Sequence, residues 1–339
     1  MAVGQRAPSA AAAVRAGVSR VAEHPYFSDA IGEPVMMGLE PSLDPLMSVV
    51  DRICTMAEGV LREVAESLTS TRPIPTEVPV LIVLPEERPG LPAASLKQIE
   101  VRLSGMAIEG LPKARIRFAG RGHVGAATAC KEALQHLSAH GQSLCIVAGV
   151  DSYADGFTLD WLEESRRLAS EPVRAGFPPG EGAAAFVLAS ASTRRAAGFD
   201  SLATVRAVAT ALDPEAADPE AEPLGKGLTA VVREVAQQLE RPAEHFEDLF
   251  IDINGERPRT TDLGFVSLRC GTLFRDVTEY TRAVPSTGEL GAASMPFNIV
   301  LATQAWARGW ARGGNALVLG SSRGMERAAI LLGKGDSSR

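Results

Sequence analysis

The unbroken apolar run Val78 to Leu84 (VPVLIVL), mostly β-branched, reads as a strand covered on both faces. Before it, the pattern predicts a helix from Pro8 to Ser19, an irregular segment through Pro25 and Pro41, and a long amphipathic helix from Asp44 to Ser67. A Pro-rich turn, Arg72 to Pro75, ends that helix. After the run come a helix from Ala94 to Leu103 and a strand from Ala114 to Ala119. Strands alternating with helices predict an α/β protein with parallel sheet.

The middle of the chain resembles its end. Gly125 to Ser152 (GAATACKEALQHLSAHGQSLCIVAGVDS) and Gly291 to Ser322 (GAASMPFNIVLATQAWARGWARGGNALVLGSS) both open with Gly-Ala-Ala and a hydroxyl residue. Each continues as an apolar helix, a Gly-containing turn and a buried strand (Ser143 to Gly149; Asn315 to Gly320), then a further strand (Ala183 to Leu188; Arg327 to Leu332). Upstream, Val80 to Leu84 has its counterpart in Asp248 to Ile253. The chain therefore reads as two copies of one βαβαββ unit. Its expected divisions are a helical segment with partial first-half elements (1–76), a first half (77–213), an acidic Pro/Ala-rich connection (214–223), a second half (224–334) and a tail (335–339). A helix from Leu224 to Leu239 opens the second half.

Composition excludes several classes of function. With 339 residues, 45% hydrophobic, the chain can bury a large core. The net charge of −7 and the lack of clustered Lys and Arg argue against nucleic acid as a partner. No stretch approaches the roughly 20 apolar residues that span a bilayer, and the Ala-rich start is not a signal peptide, so a cytoplasmic location is expected. Cys54, Cys130, Cys145 and Cys270 form no CxxC pair and read as free buried thiols in a reducing compartment. No metal-ligand spacing appears, and no cofactor is expected.

Particular strings resemble the ketosynthase branch of the thiolase fold. CIVAGVDSY and PGEGAAAFVL (Pro179 to Leu188) are similar to two of its strands. IDINGERPRTTDLG (Ile251 to Gly264) and PSTGELGAAS (Pro285 to Ser294) are similar to the segments carrying its two catalytic histidines. The resemblance implies a layered α/β/α/β/α fold, a homodimer, and a Cys nucleophile at the tip of the first buried helix, where the helix terminus lowers the thiol pKa. Counting back from Gly149 puts that position at Val124, within Gly122 to Val124; the two histidine positions read Asn254 and Glu289. Val has no nucleophile, Asn cannot exchange a proton near neutral pH, and an ionised Glu would repel an oxyanion.

The resemblance thus implies a protein without the Cys-His-His set, acting as a binding, scaffold or accessory protein with a protein partner. Such divergent chains also resemble accessory proteins encoded beside bacterial secretion-system effectors. An alternative is an acyltransferase of the 3-oxoacyl synthase type using other residues, whose partner would be an acyl carrier protein or acyl-CoA. Cys130, in a TAC string like that around the ketosynthase nucleophile, is the rival nucleophile, although it stands too close to the following strand. A second alternative is nucleotide binding through GRGHVG (Gly120 to Gly125), with Asp151 as the ribose acid. GSSRG (Gly320 to Gly324) has no following helix or histidine and is no nucleophile elbow. His24, His136, His140 and His245 read as surface or capping residues, and His123 as a turn residue at the helix tip. If the loops converge as the fold implies, Arg121, His123, Asn254, Arg257, Glu289, Ser322 and Arg323 line one pocket, with Glu289 ion-paired to an arginine.

Overall fold

The computed structural model describes residues 1–69, 77–111, 113–139, 144–217 and 224–336. Helix α1 (Ala7–Arg15) leads to a hairpin, β1 (Ala22–Ser28) and β2 (Pro34–Met37), and then to α2 (Val49–Thr69). Next come β3 (Val78–Leu84), α3 (Ala93–Ser104), β4 (Ala114–Arg121), α4 (Gly125–Ala139), β5 (Leu144–Ser152), α5 (Gly156–Glu164), β6 (Glu181–Ala189), α6 (Ala191–Ala197) and β7 (Ala203–Leu212). The rest is α7 (Lys226–Ala236), β8 (Asp248–Ile251), α8 (Arg257–Cys270), β9 (Tyr280–Thr281), α9 (Val284–Thr287), α10 (Ser294–Ala307), β10 (Asn315–Ser321) and β11 (Glu326–Lys334).

Two sheets carry the duplication. One has the order β4-β3-β5-β6 and the other β7-β11-β10-β8-β9. In the first, β4, β3 and β5 are parallel and β6 is antiparallel; in the second, β9, β8 and β10 are parallel and β11 is antiparallel. The alternation of side chains along each strand then builds the layers. From β3, Leu81 and Val83 point into an inner core shared with Val318 and Ile330 of the other sheet, while Val80, Ile82 and Leu84 point outward to Ile53 and Leu61 of α2. From β8, Phe250 points inward, and Leu249 and Ile251 face α7 and α8. Helices α4 and α10 lie in that inner core, giving the expected α/β/α/β/α order. Their contact needs small residues: Ala126, Ala127, Ala292 and Ala293 are all buried, and a Cβ on Gly149 would collide with the carbonyl oxygen of Ala292.

The structure corrects the expected organisation in two places. The segment read as irregular contains the hairpin β1–β2, with Pro25 inside β1 and Pro34 opening β2. A two-stranded ribbon has outer edges that need no N–H donor, so proline is tolerated there. The pairing shifts register between Glu23 and Ser28, and the His24 Nδ1 atom accepts the backbone N–H groups of Tyr26 and Phe27 in that shift, both at 3.1 Å. Second, the 77–213 division places β7 with the first half, yet it pairs along its length with β11 of the second sheet. The Pro-rich turn, His140 and most of the acidic connection lie outside the described residues; Pro214–Ala217 forms a short 3-10 turn.

Candidate functional site

The tip of α4 is a tight strand-to-helix turn. Gly120 and Gly122 have φ of +72° and +60°, conformations that favour glycine, and a Cβ on Gly120 would meet the backbone of Gly125. That packing accounts for the GxGxxG spacing. Asp151 is 1% exposed, and its carboxylate takes Arg88 at 2.7 Å and the Ala292 N–H at 3.0 Å, so it links two parts of the interior. Val124 is 3% exposed and belongs to the inner core. The N–H groups of Gly125 and Ala127 bond to the carbonyls of Gly122 and Val124.

Glu289 stands opposite this tip, on the loop between α9 and the Gly291–Ala293 turn, and is fully buried. His123 Nε2 lies 3.0 Å from its Oε1. The same oxygen accepts the Gly291 N–H at 3.1 Å and the Ser294 hydroxyl at 3.0 Å, while Oε2 accepts Asn254 Nδ2 at 2.7 Å. Burial opposes the charge, but the pull of His123, its hydrogen bond, Arg259 and Asn254 outweigh it and hold the carboxyl well below the usual range. The Asn254 amide is oriented by Glu256, whose N–H donates to Oδ1 at 3.0 Å and whose carboxylate accepts from Nδ2 at 3.0 Å. Glu256 is in turn gripped by Arg167 at 2.6 and 3.2 Å; burial works against its charge, and this pair keeps its carboxyl below the ordinary value.

The structure brings His123, Asn254 and Glu289 into one cluster, and Val124, next to His123 in the chain, is buried in the inner core. The expected arginine partner of Glu289 is corrected: its partners are His123, Asn254, Ser294 and Gly291. Arg257, expected in the pocket, is exposed at the start of α8, because the buried stripe of that helix runs through Arg259, Asp262, Leu263, Val266 and Cys270. Arg259 is the buried arginine, bound to Asp252. Helical spacing from Leu263 and Val266 was the signal that could have found it. Arg121 also points elsewhere, pairing with Glu100 at 2.8 Å. Ser322 is buried with its hydroxyl unpartnered, and Arg323 is exposed with its guanidinium over the Trp161 ring.

Cys130 is fully buried in the inner core, and burial, with Cys145 adding, pushes its thiol up to about 12. The four cysteines are free and buried. His24, read as a surface or capping residue, does cap backbone N–H groups but is buried. Among the described residues no group of His, Cys, Asp and Glu could hold a metal ion, and no helix is long and apolar enough to cross a membrane.

The sequence matches no protein-family model and no curated protein. Solved structures do match. The ishigamide ketosynthase/chain length factor superposes with a TM-score of 0.66 at 19% identity, covering 97% of this chain and 95% of that one. The ketosynthase from module 6 of the bacillaene synthase of Bacillus subtilis 168 gives 0.74 at 12% identity, over 98% of this chain and 70% of that one. A type II PKS acyl-carrier protein in complex with its ketosynthase gives 0.65 at 13% identity, over 98% and 96%. With the two mirrored sheets and the paired central helices, these likenesses identify the architecture: the chain is a thiolase-fold protein built like a ketosynthase.

Proposed function

We propose that this protein is a ketosynthase-like chain without condensing activity, working as a homodimeric binding, scaffold or accessory protein. In this reading Val124 occupies the nucleophile position, and Asn254 and Glu289 occupy the two histidine positions. One observation carries it. The Glu289 carboxylate, 0% exposed, spends its acceptor capacity on His123, Asn254, Ser294 and the Gly291 N–H, in the space where an acyl thioester would need donors. An anion fixed there repels the oxyanion of thioester attack, and a valine tip supplies no nucleophile. Of the tip N–H groups, those of Gly125 and Ala127 are already bonded to the carbonyls of Gly122 and Val124. Cys130 offers no substitute, since its thiol is in the packed interior and strongly disfavours ionisation.

The test is incubation of the native protein with an acyl thioester and with a ketosynthase-directed electrophile, read by intact mass. An unmodified protein is the expected result. Stoichiometric acylation, or labelling at Cys130, would return the acyltransferase reading. Sedimentation measures the dimer. Because one structural neighbour is an acyl-carrier protein bound to its ketosynthase, an acyl-carrier protein is the first partner to assay, and effector-type proteins the second.

A further inference from the structure

A ladder of arginine and aromatic side chains runs from the interior to the surface beside the Glu289 cluster. It begins at Arg88, whose guanidinium lies 4.3 Å from the Tyr153 ring centroid. Tyr153 meets Phe177 edge to face at 5.8 Å. Arg167 spans the next step, 5.3 Å from Phe177 and 5.4 Å from Trp161. Arg323 ends the ladder, its guanidinium over the Trp161 ring at 4.7 Å. Two guanidiniums thus lie over Trp161.

The rungs differ in how their charge is met. Arg88 bonds to Asp151 at 2.7 Å and to the Ser152 carbonyl at 2.6 Å; Arg167 grips Glu256. Arg323 has no hydrogen bond or ion pair with any described residue. Burial and the neighbouring charge of Arg167 both push its pKa down, while Glu86, Glu256 and Tyr153 act the other way without reaching bonding distance. Beside it in the chain, the Ser322 hydroxyl is buried and finds no partner among the described residues, and deeper in the ladder the same holds of Arg88 Nε. A guanidinium stacked by its face keeps its in-plane N–H groups free for a forked contact with an oxyanion.

We propose that Arg323, stacked on Trp161 and backed by Arg167, is an anion-binding site that takes a phosphate group. Phosphate fits better than carboxylate because it offers three acceptor oxygens and close to two negative charges to a guanidinium that no carboxylate among the described residues pairs, beside a second one already shared with Glu256. The site is independent of whether the Glu289 cluster is catalytic, so its failure would leave that reading untouched.

The test is an NMR titration of the arginine Nε–H and tryptophan indole N–H signals with inorganic phosphate at constant ionic strength, with acetate as the carboxylate arm. Phosphate should shift the Arg323 and Trp161 signals saturably. In Arg323→Gln, an exposed change that leaves the core intact, phosphate affinity should fall by about tenfold or more. A linear, unsaturated response in the parent, an Arg323→Gln variant that keeps its phosphate affinity, or acetate binding as tightly as phosphate would each overturn the assignment.

Discussion

His123 Nε2 and Glu289 Oε1 lie 3.0 Å apart although 166 positions separate them in the chain. One residue belongs to the helix tip of the first half and the other to the loop before the central helix of the second. The bond therefore ties the two halves together where their central helices start. It also keeps from solvent a carboxylate whose loss would take from His123, Ser294 and the Gly291 N–H the acceptor they share, and from Asn254 one of its two.

Glu289→Ala should destabilise the fold by about 3 kcal/mol, the scale for removing one partner from a buried charged network. Glu289→Gln, which keeps the shape and one acceptor, should lose less. Equilibrium urea unfolding measures both; an Ala variant with the parent's midpoint would remove the structural role assigned to the network.

His24 should make the protein acid-sensitive. Its Nδ1 accepts the Tyr26 and Phe27 N–H groups, which requires the neutral ring, and burial first, then the charge of Arg52, lower its pKa, with Glu181 opposing. A depressed folded pKa means stability is present above the ordinary value of 6.5 and drains away as pH falls below it. Melting temperatures between pH 8 and pH 5 should fall more steeply for the parent than for His24→Gln. Parallel curves would count against it.

Gly149→Ala should be among the most damaging single-methyl additions. The new Cβ would strike the Ala292 carbonyl oxygen and the Pro296 ring, forcing β5 away from the start of α10. Overpacking of this kind costs about 1–3 kcal/mol, at the upper end here because backbone must move. A soluble variant with unchanged stability would show that the two halves separate more readily than their contact suggests.

Arg52 and Glu181 form an ion pair with both side chains fully buried, at 2.5 and 2.7 Å, and Ser152 completes the carboxylate at 2.7 Å. Arg52→Met alone should cost about 3–5 kcal/mol by leaving Glu181 uncompensated. Adding Glu181→Gln should recover part of that loss, which a double-mutant cycle reads directly. A double variant whose loss equals the sum of the two single losses would mean the pair is not coupled.

The layered fold was legible because its signals are local and strong. Val78 to Leu84 is apolar at each position since both faces of β3 are covered, and the second copy repeats the small-residue helix start. Asn254 and Glu289 were singled out by the resemblance of their segments to the ketosynthase histidine segments, and Val124 by counting back from Gly149. What filled the site did not. The partner of Glu289 turned on whether His123 at a turn faces inward, and a turn has no periodicity to reveal that. Arg257 and Arg259 stand two positions apart on a helix whose buried stripe itself carries Arg259 and Asp262, so charge masked the spacing that Leu263 and Val266 offer. The hairpin was missed because Pro25 and Pro34 look like breakers unless the strands are known to be edges.

Helices α4 and α10 are enclosed by both sheets at once, and this has a consequence for how the molecule could be divided. Each half supplies one helix and one inner sheet face to a core that neither completes. Scission between Leu212 and Lys226 would cut the polypeptide but not the cooperative unit, and each separated fragment would display a bare greasy wall. Such fragments would be insoluble apart and would reassemble together, as complementing pieces of a split protein do. The duplicated sequence thus reads as ancestry, with the thermodynamic unit being the whole.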